Sequence, residues 1–220
     1  MKKCLILANG KPPKKSDIKY LQKAGYSTLI CADGGANTAK KLGFAPDFII
    51  GDFDSISPNT LKYFENKSVV KKITRQNDTD VEKALKLAIK KKYTNAILLG
   101  ATGDRIDHLF CNIGIILKFY PEIDVSILHD NTLMKTYTGK VELHTEVNET
   151  ISLYGIDAKT KITSSGLKYP LKNISLPFGK RESTSNVALK DKVQLKITGG
   201  IILLVRDISV LKRNDFFKHS

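Results

Sequence analysis

Hydrophobic residues in the first 130 positions form short runs that alternate with stretches of helical spacing. The short runs, typical of buried strands, fall at residues 3–8, 28–32, 48–50, 69–73, 96–99 and 125–128. The stretches between them predict helices at 17–24, 35–42, 57–64, 81–89 and 106–119, and in the fourth the apolar residues recur at intervals of three and four. Strands that alternate with helices through short links predict an α/β fold, with a mostly parallel sheet and helices on both of its faces.

The pattern changes after residue 131, where helical spacing gives way to short strand-like segments. These segments fall at 132–138, 140–146, 150–154, 161–163, 193–197 and 201–205, and turn signals such as Thr138-Gly139 and Gly199-Gly200 separate them. We therefore predict two domains, which are an α/β domain at 1–131 and a small antiparallel β domain at 132–220.

The overall composition is that of an ordinary globular protein. Apolar residues make up 41% of the chain and charged residues 26%, and nothing approaches the roughly 20-residue apolar run that a membrane span needs. The apolar stretch near the N-terminus is shorter than the core of a secretory signal peptide. Three widely separated cysteines, Cys4, Cys31 and Cys111, disfavour disulfides and a zinc site. We expect a cytoplasmic protein with no membrane partner.

The formal net charge of +14 raises the question of a nucleic-acid partner. The excess is mostly lysine, which is scattered along the chain or collected in short runs at the ends of predicted elements. No basic run alternates with aromatic residues, as a single-strand binding surface would require. A solvated lysine surface is the favoured interpretation, and its positive field would attract an anionic nucleotide.

Six aspartates follow four consecutive predicted strands. They are Asp33, Asp52, Asp54, Asp78, Asp80 and Asp107. Because an open α/β sheet binds its ligands at the carboxyl ends of the strands, these side chains are expected on one rim. Asp52 and Asp54 alternate in a segment that we predict to be extended, so both carboxylates are expected to point to the same side.

A rim of carboxylates predicts a bound cation. Carboxylates packed closely repel one another unless they are protonated or neutralised. Oxygen ligands without a His or Cys cluster favour Mg²⁺, which usually completes its shell with substrate phosphates. The rim therefore predicts Mg²⁺ and a nucleotide.

Each aspartate also has a structural interpretation. An Asp after a strand is often a turn residue or a helix cap. Thr79 and Glu82 have the spacing of a capping box, and Asp78 and Asp80 suit the dipole at the start of that helix. The coincidence of six aspartates on one predicted rim favours a metal site over six separate turns.

Other polar residues are candidates for binding phosphate. The Gly34-Gly35 turn opens a helix whose backbone N–H groups suit an anion, and Arg105 suits a phosphate oxygen. For His108, a structural role and a role in binding phosphate or metal stay equally open; Asn112 suits a functional or buried hydrogen-bonding role. The chain has neither a G-x-G-x-x-G fingerprint nor a G-x-x-x-x-G-K-[ST] loop, which disfavours a dinucleotide site and excludes an ordinary P-loop kinase.

Together these segments resemble the thiamine pyrophosphokinase family. The matching pieces are ADGGAN at 32–37, GDFDS at 51–55, QNDTDVEKAL at 76–85, GDRIDH at 103–108 with Asn112, GLKYPL at 166–171 and STSN at 183–186. The resemblance implies an α/β catalytic domain, a C-terminal β-sandwich, and a homodimer with active sites between subunits. It also implies Mg²⁺ as cofactor and ATP and thiamine as substrates, with AMP and thiamine diphosphate as products.

The resemblance assigns roles to individual residues. The metal and phosphates would be held by Asp52, Asp54, Asp78, Asp80 and Asp107, and the nucleotide would lie against Asp33, Gly34, Asn37, Arg105 and His108. Thiamine would contact Gln76 and Asp80, together with Ser183, Ser185 and Asn186 from the partner's β domain. Catalysis would depend on Asp52, Asp54, Asp80, Asp107 and Arg105. Some family members stack a Trp on thiamine, and this chain has none, so that contact is lost or replaced.

The implied reaction is an in-line attack of the substrate hydroxyl on the β-phosphorus of ATP, with charge neutralised by Mg²⁺ and Arg105. Asp80 and Asp107 are both candidates for accepting the proton. The alternatives are the same transfer to another alcohol, such as a hydroxymethyl pterin, and a basic module that binds nucleotide or nucleic acid without turnover.

Overall fold

The computed structural model describes residues 1–75, 77–103 and 105–219. The chain divides into two compact units, Met1–Asp130 and Asn131–Ser220. In the part of the chain so described, no helix combines the length and the apolar character that crossing a membrane demands.

The first unit is built on six parallel strands. These are β1 (Lys3–Leu7), β2 (Thr28–Ala32), β3 (Phe48–Gly51), β4 (Val69–Lys72), β5 (Asn95–Leu99) and β6 (Asp124–His129). Pairing gives the order β6-β5-β1-β2-β3-β4, and every pair is parallel. In β1 four consecutive residues from Cys4 to Leu7 are buried, as expected for a sheet covered on both faces.

Five helices connect these strands. They are α1 (Lys15–Lys23), α2 (Gly35–Leu42), α3 (Pro58–Phe64), α4 (Asp80–Lys90) and α5 (Ile106–Phe119). Because crossovers between parallel strands are right-handed, the outward path from β1 to β4 places α1, α2 and α3 on one face. The return to β5 and β6 places α4 and α5 on the other. The predicted α/β class, with its mostly parallel sheet, is confirmed.

Two helices begin where the sequence predicts. The Ser57 hydroxyl accepts a hydrogen bond from the Thr60 N–H at 3.2 Å, with Pro58 in the first helical position of α3. Thr79 and Glu82 form the reciprocal capping box of α4, at 3.2 Å and 2.9 Å.

The order of strands changes direction between β1 and β5, and ligands bind at such a point in doubly wound sheets. The chain segments beyond these two strands stay paired, because the N–H of Gly10 donates to the Gly100 carbonyl at 2.7 Å and that of Lys11 to Thr102 at 2.6 Å. The fold therefore places a crevice beside both segments.

The second unit is antiparallel. Its strands are β7 (Thr132–His144), β8 (Thr150–Gly155), β9 (Lys161–Ser165), β10 (Ser183–Val187) and β11 (Lys192–Asp207), followed by α6 (Ile208–Arg213) and α7 (Phe216–His219). The first half of β11 pairs with β7 and β9, and its second half pairs with β7 and β8. One partner of β11 thus changes midway, from β9 to β8. A cluster of buried apolar side chains from β7, β8, β9, β11 and the segments between them forms the core.

Two predicted turns in this unit are wrong. Thr138-Gly139 lies inside β7 and Gly199-Gly200 lies inside β11, so four predicted strands are two long ones. Both glycines that carry a positive φ, Gly139 at 71° and Gly199 at 82°, lie where the pairing of β7 with β11 becomes irregular. Glycine here permits a bulge within a strand, which gives the same sequence signal as a turn.

Candidate active site

Three aspartates from the predicted rim meet in the first unit. Asp33 follows β2, Asp52 follows β3, and Asp80 is the first residue of α4. Each offers one carboxylate oxygen, and these oxygens lie within 4.8 Å of one another. We call this set the acidic cluster. Sequence analysis predicted Asp52 and Asp80 at the metal and Asp33 at the nucleotide, and the fold brings all of them together.

Asp33 is the buried member of the acidic cluster. Its carboxylate accepts hydrogen bonds from the backbone N–H groups of Ser55 and Ile56, both at 3.1 Å. Burial is the largest cause that raises the pKa of Asp33 to about 6, and the hydrogen-bonded Asp54 carboxylate and the charge of Asp80 act in the same direction. The two backbone hydrogen bonds oppose this rise. Through its hydrogen bonds to Ser55 and Ile56, buried Asp33 therefore holds the loop after β3 in place.

The close approach of these elements depends on glycine. A Cβ at Gly51 would lie 2.7 Å from the Cβ of Asp33 and 3.2 Å from Oδ1 of Asp80. A Cβ at Gly35 would overlap the carbonyl oxygen of Leu7, and one at Gly34 the side chain of Asn9. The Gly34-Gly35 turn thus has a packing role that the anion-binding interpretation did not include.

The loop of Asp52 and Asp54 is not extended, contrary to prediction. Phe53 has a φ of 68°, in the left-handed region that non-glycine residues rarely adopt. The Asp54 N–H nevertheless donates to Oδ1 of Asp52 at 3.3 Å, and the Ser55 hydroxyl donates to Asp54 at 2.8 Å. Hydrogen bonds from Ser55 and Asp33 lower the pKa of Asp54, so this carboxylate stays ionised next to the cluster.

Sequence analysis missed Lys83. Its ammonium donates to Oδ1 of Asp80 at 2.9 Å and lies 3.8 Å from Oδ2 of Asp52. Burial disfavours the charged form of Lys83, but the hydrogen bond to Asp80 and the nearby carboxylates outweigh it and raise its pKa. Its spacing of three from Asp80 on a helix was the available signal.

Asp78 and Asp107 have basic partners. Lys86 donates to Asp78 at 2.5 Å and is the first cause that lowers the pKa of Asp78. Arg105 donates two hydrogen bonds to Asp107, at 3.0 Å and 2.6 Å, and thereby holds the pKa of Asp107 well below its usual range. The predicted metal roles of Asp54, Asp78 and Asp107 stay predictions.

A cavity of about 630 Å³ opens beside the acidic cluster. The cluster, Gly34, Asp78, Arg105 and His108 line one part of it, and the chain beyond β1 and β5 lines another through Asn9, Gly10, Gly100, Ala101, Thr102 and Gly103. Asn112 lines it too, and its amide donates to the Ala101 carbonyl at 2.6 Å. The volume is in the range of small-molecule sites. Asn9 and Thr102 were not singled out in the sequence because neither is an acidic residue or a glycine, although each lies directly before a glycine.

Asn37 supports the loop between β3 and α3. Its amide donates to the Ser55 carbonyl at 3.0 Å, and its Oδ1 accepts from the Ser57 N–H at 3.1 Å. Both contacts are structural, and the nucleotide contact assigned to Asn37 stays a prediction.

The residues predicted to contact thiamine belong mostly to the second unit. Ser183, Ser185 and Asn186 all lie in β10, whereas Gln76 lies outside the described residues. Asn186 is buried, and Ser185 is exposed with a φ of 55° and an N–H that donates to the Ser152 hydroxyl at 3.0 Å. β10 was not predicted as a strand because its sequence, STSNV, is polar.

The donor set of the acidic cluster fits a hard dication. It supplies carboxylate oxygens from three separate elements, and among the described residues the only group of three or more candidate metal ligands that meet is this one. Mg²⁺ prefers such oxygen ligands and retains open positions for phosphate. The acidic cluster lies beside a cavity, at the point where the strand order reverses. Together the cluster and the cavity can hold a metal and a polyphosphate.

Comparison with known proteins gives consistent results. Residues 19–127 match the family model "Thiamin pyrophosphokinase, catalytic domain", and residues 140–202 match "Thiamin pyrophosphokinase, vitamin B1 binding domain". Thiamin pyrophosphokinase 1 of Caenorhabditis elegans is 29% identical over 218 residues, which cover 91% of this chain and 87% of the relative. Thiamine pyrophosphokinase 3 of Oryza sativa subsp. japonica is 30% identical over 198 residues, which cover 77% and 74%.

A solved structure shares the fold. The crystal structure of thiamine pyrophosphokinase from Bacillus subtilis superposes with a TM-score of 0.78 at 23% identity, and the match covers 93% of this chain and 99% of that one. At this identity the likeness concerns the fold alone.

Proposed function

The chain belongs to the thiamine pyrophosphokinase family, and on that premise we propose that it transfers the diphosphate of ATP to the hydroxyl of thiamine, which yields thiamine diphosphate and AMP. The observation that carries this proposal is the acidic cluster beside a cavity of about 630 Å³ at the point where the strand order reverses. A polyphosphate substrate suits this place because a metal held there can bind its oxygens.

The proposed cofactor is Mg²⁺. Asp52 and Asp80, with Asp33 behind them, would hold it, and Asp54, Asp78 and Asp107 are the further candidates. When bound, Mg²⁺ would neutralise phosphate charge and fix the polyphosphate for attack. With Lys83 present, three carboxylates and one ammonium leave the ionised cluster with a net charge of about −2, which suits one dication.

The chain's own residues would orient and neutralise the reactants. Gly34, Arg105 and His108 line the cavity and would contact the nucleotide. The thiamine oxygen would form a bond to the β-phosphorus while the bond to the bridging oxygen of AMP breaks. Both candidates for accepting the hydroxyl proton have a basic partner, Lys83 for Asp80 and Arg105 for Asp107. Because Asp80 lines the cavity and Asp107 does not, we assign the proton to Asp80.

We also propose a homodimer in which the partner's β10 supplies Ser183 and Ser185 to thiamine, while Asn186 holds the segment around Tyr169 in place beside them. A surface on α5 supports this assembly. Ile106 and Phe110 are 70% and 60% exposed, and they lie one turn apart on the helix. Exposed apolar patches of this kind commonly mark protein interfaces. Light scattering after gel filtration should give twice the mass of 24.4 kDa, and Phe110→Glu should reduce it to that of a monomer.

Identification of the nucleotide product tests the proposed reaction. The protein is incubated with MgATP and thiamine, and the nucleotides are separated by chromatography. AMP formed in equal amount with thiamine diphosphate supports the proposal, whereas ADP would exclude diphosphate transfer. The same assay with a hydroxymethyl pterin in place of thiamine shows which alcohol accepts the diphosphate. Free thiols at Cys4, Cys31 and Cys111 are consistent with the proposed cytoplasmic location.

A further inference from the structure

A lysine is buried inside the acidic cluster. The Lys83 ammonium lies 2.9 Å from Oδ1 of Asp80 and 3.8 Å from Oδ2 of Asp52, and its side chain is only 3% exposed. Lysine is almost never buried to this extent unless it is paired. Burial of Lys83 is therefore tolerated because the carboxylates of Asp52 and Asp80 lie beside its ammonium. The ammonium in turn reduces the repulsion between those carboxylates and so holds them close together.

The backbone under this contact is fixed. Asp80 and Lys83 lie three residues apart near the start of α4, so their side chains share one side of the helix. The capping box of Thr79 and Glu82 holds the start of the helix. Withdrawal of the ammonium would leave a lysine unpaired in the interior, which is costly. Lys83 is thus a permanent positive charge at the cluster.

We propose that Lys83 is a resident counter-ion, which holds Asp52 and Asp80 in place when no metal is bound and weakens the binding of free Mg²⁺. A fixed positive charge a few ångströms from a dication repels it strongly in a partly buried site. The negative charge of a polyphosphate offsets that repulsion. The cluster would then retain Mg²⁺ together with the nucleotide rather than alone. The identity of the metal rests on the proposed function.

The test replaces Lys83 by methionine and measures melting temperature without nucleotide or thiamine. Lys83→Met keeps most of the apolar stem but removes the charge. Lys90→Met is the matched control, because Lys90 is an exposed residue at the other end of α4 and the variant loses the same charge. Melting is followed first in EDTA and then over a titration with MgCl₂, whose stabilising effect yields an apparent Kd.

A counter-ion role predicts two opposite changes. In EDTA, Lys83→Met should melt several degrees lower than the unmodified chain, because the carboxylates lose their partner. Its apparent Kd for free Mg²⁺ should be at least about tenfold tighter, because the repelling charge is gone. Lys90→Met should change neither value. The proposal is overturned if Lys83→Met binds Mg²⁺ as weakly as the unmodified chain, or more weakly. Loss of packing alone would lower the melting temperature without lowering the apparent Kd for Mg²⁺.

A second variant decides the matter if Lys83→Met does not fold in EDTA. Folding of Lys83→Met once MgCl₂ is added would support the proposal directly. If it stays unfolded, the double variant Asp80→Asn with Lys83→Met removes both charges and should recover folding; failure of the double variant to do so would refute the coupling. These measurements use no nucleotide, so a negative result would reject the counter-ion role of Lys83 and say nothing about AMP release by the unmodified chain. Conversely, a failed AMP assay would reject the proposed reaction and say nothing about the counter-ion role.

Discussion

The side-chain amide of Asn186 is hydrogen-bonded to both the N–H and the carbonyl of Tyr169. Its Oδ1 accepts a hydrogen bond from the Tyr169 N–H at 3.1 Å, and its Nδ2 donates to the Tyr169 carbonyl at 2.8 Å. Further hydrogen bonds join the same amide to the Ser183 hydroxyl at 3.0 Å and the Val187 N–H at 2.9 Å. The amide is thus fully used within its own unit, so Asn186 positions the segment around exposed Tyr169.

Asn186→Ala should therefore destabilise the second unit and weaken thiamine binding. The variant leaves the partly buried N–H and carbonyl of Tyr169 without their partner, which we expect to lower the free energy of unfolding by about 1 to 3 kcal/mol. Urea denaturation measures that loss, and steady-state kinetics should show a raised KM for thiamine with the KM for ATP little changed. Thr184→Ala, at an exposed neighbouring position, should alter stability by less than about 0.5 kcal/mol. An unchanged midpoint for Asn186→Ala would contradict the positioning role.

Asp54→Asn should reduce turnover without unfolding the protein. Asp54 lies next to the acidic cluster, and its lowered pKa keeps it ionised at neutral pH. An asparagine oxygen can still accept from the Ser55 hydroxyl, so the loop should persist. Loss of the charge should lower kcat by at least about 100-fold, measured as AMP release. Asp191→Asn, an exposed position just before β11, is the control and should retain full activity. Full activity in Asp54→Asn would reduce Asp54 to a turn residue.

The contribution of Asp33 to stability in the absence of metal should fall as pH rises. Its pKa is raised from 3.8 to about 6, mainly by burial, so between these values the folded state binds more protons than the unfolded state. The stabilisation is complete below pH 3.8 and is lost as pH rises through about 6. Asp33→Asn lacks this term, and the difference between the two proteins should change by the order of 2 kcal/mol across that range.

Urea denaturation in EDTA at pH 4.5 and pH 7 measures this dependence. The lowered pKa of Asp54 acts in the opposite direction and depends in part on its hydrogen bond with Asp33, so the comparison of the two proteins reports the titration of the Asp33–Asp54 pair. Identical pH dependence in the unmodified chain and in Asp33→Asn would show that Asp33 does not titrate in this range.

Much of the first unit could be predicted from sequence because its signals are local. Each strand is a short apolar run, each helix has its own spacing, and the rule that ligands meet at the carboxyl ends of strands brought Asp33, Asp52 and Asp80 to one rim. The side-chain direction of Asp54 could not be predicted in this way. It depends on the left-handed conformation of Phe53, which no propensity of phenylalanine suggests.

Lys83 and the long strands β7 and β11 could not be predicted from local sequence signals. A lysine on a helix is usually solvated, and only the tertiary neighbours Asp52 and Asp80 reveal that this one is buried. In the second unit, Gly139 and Gly199 have the sequence appearance of turns, but their strands continue because the partner strand is irregular at the same point. Long-range pairing decides between a turn and a bulge, and the sequence near a glycine does not contain it.

Breaking a buried ion pair in the second unit should cost far more than breaking an exposed one. Arg206 donates to both oxygens of Glu149, at 2.7 Å and 2.8 Å, with side chains 3% and 1% exposed. Arg213 makes the same two-pronged contact with Glu146 at the surface, at 2.6 Å and 2.8 Å. Glu149→Gln leaves a buried guanidinium without its counter-charge, which should lower the free energy of unfolding by about 3 to 5 kcal/mol. Glu146→Gln should lower it by less than about 1 kcal/mol. Urea denaturation of both variants measures the contrast, and equal losses would mean that burial does not control the strength of these pairs.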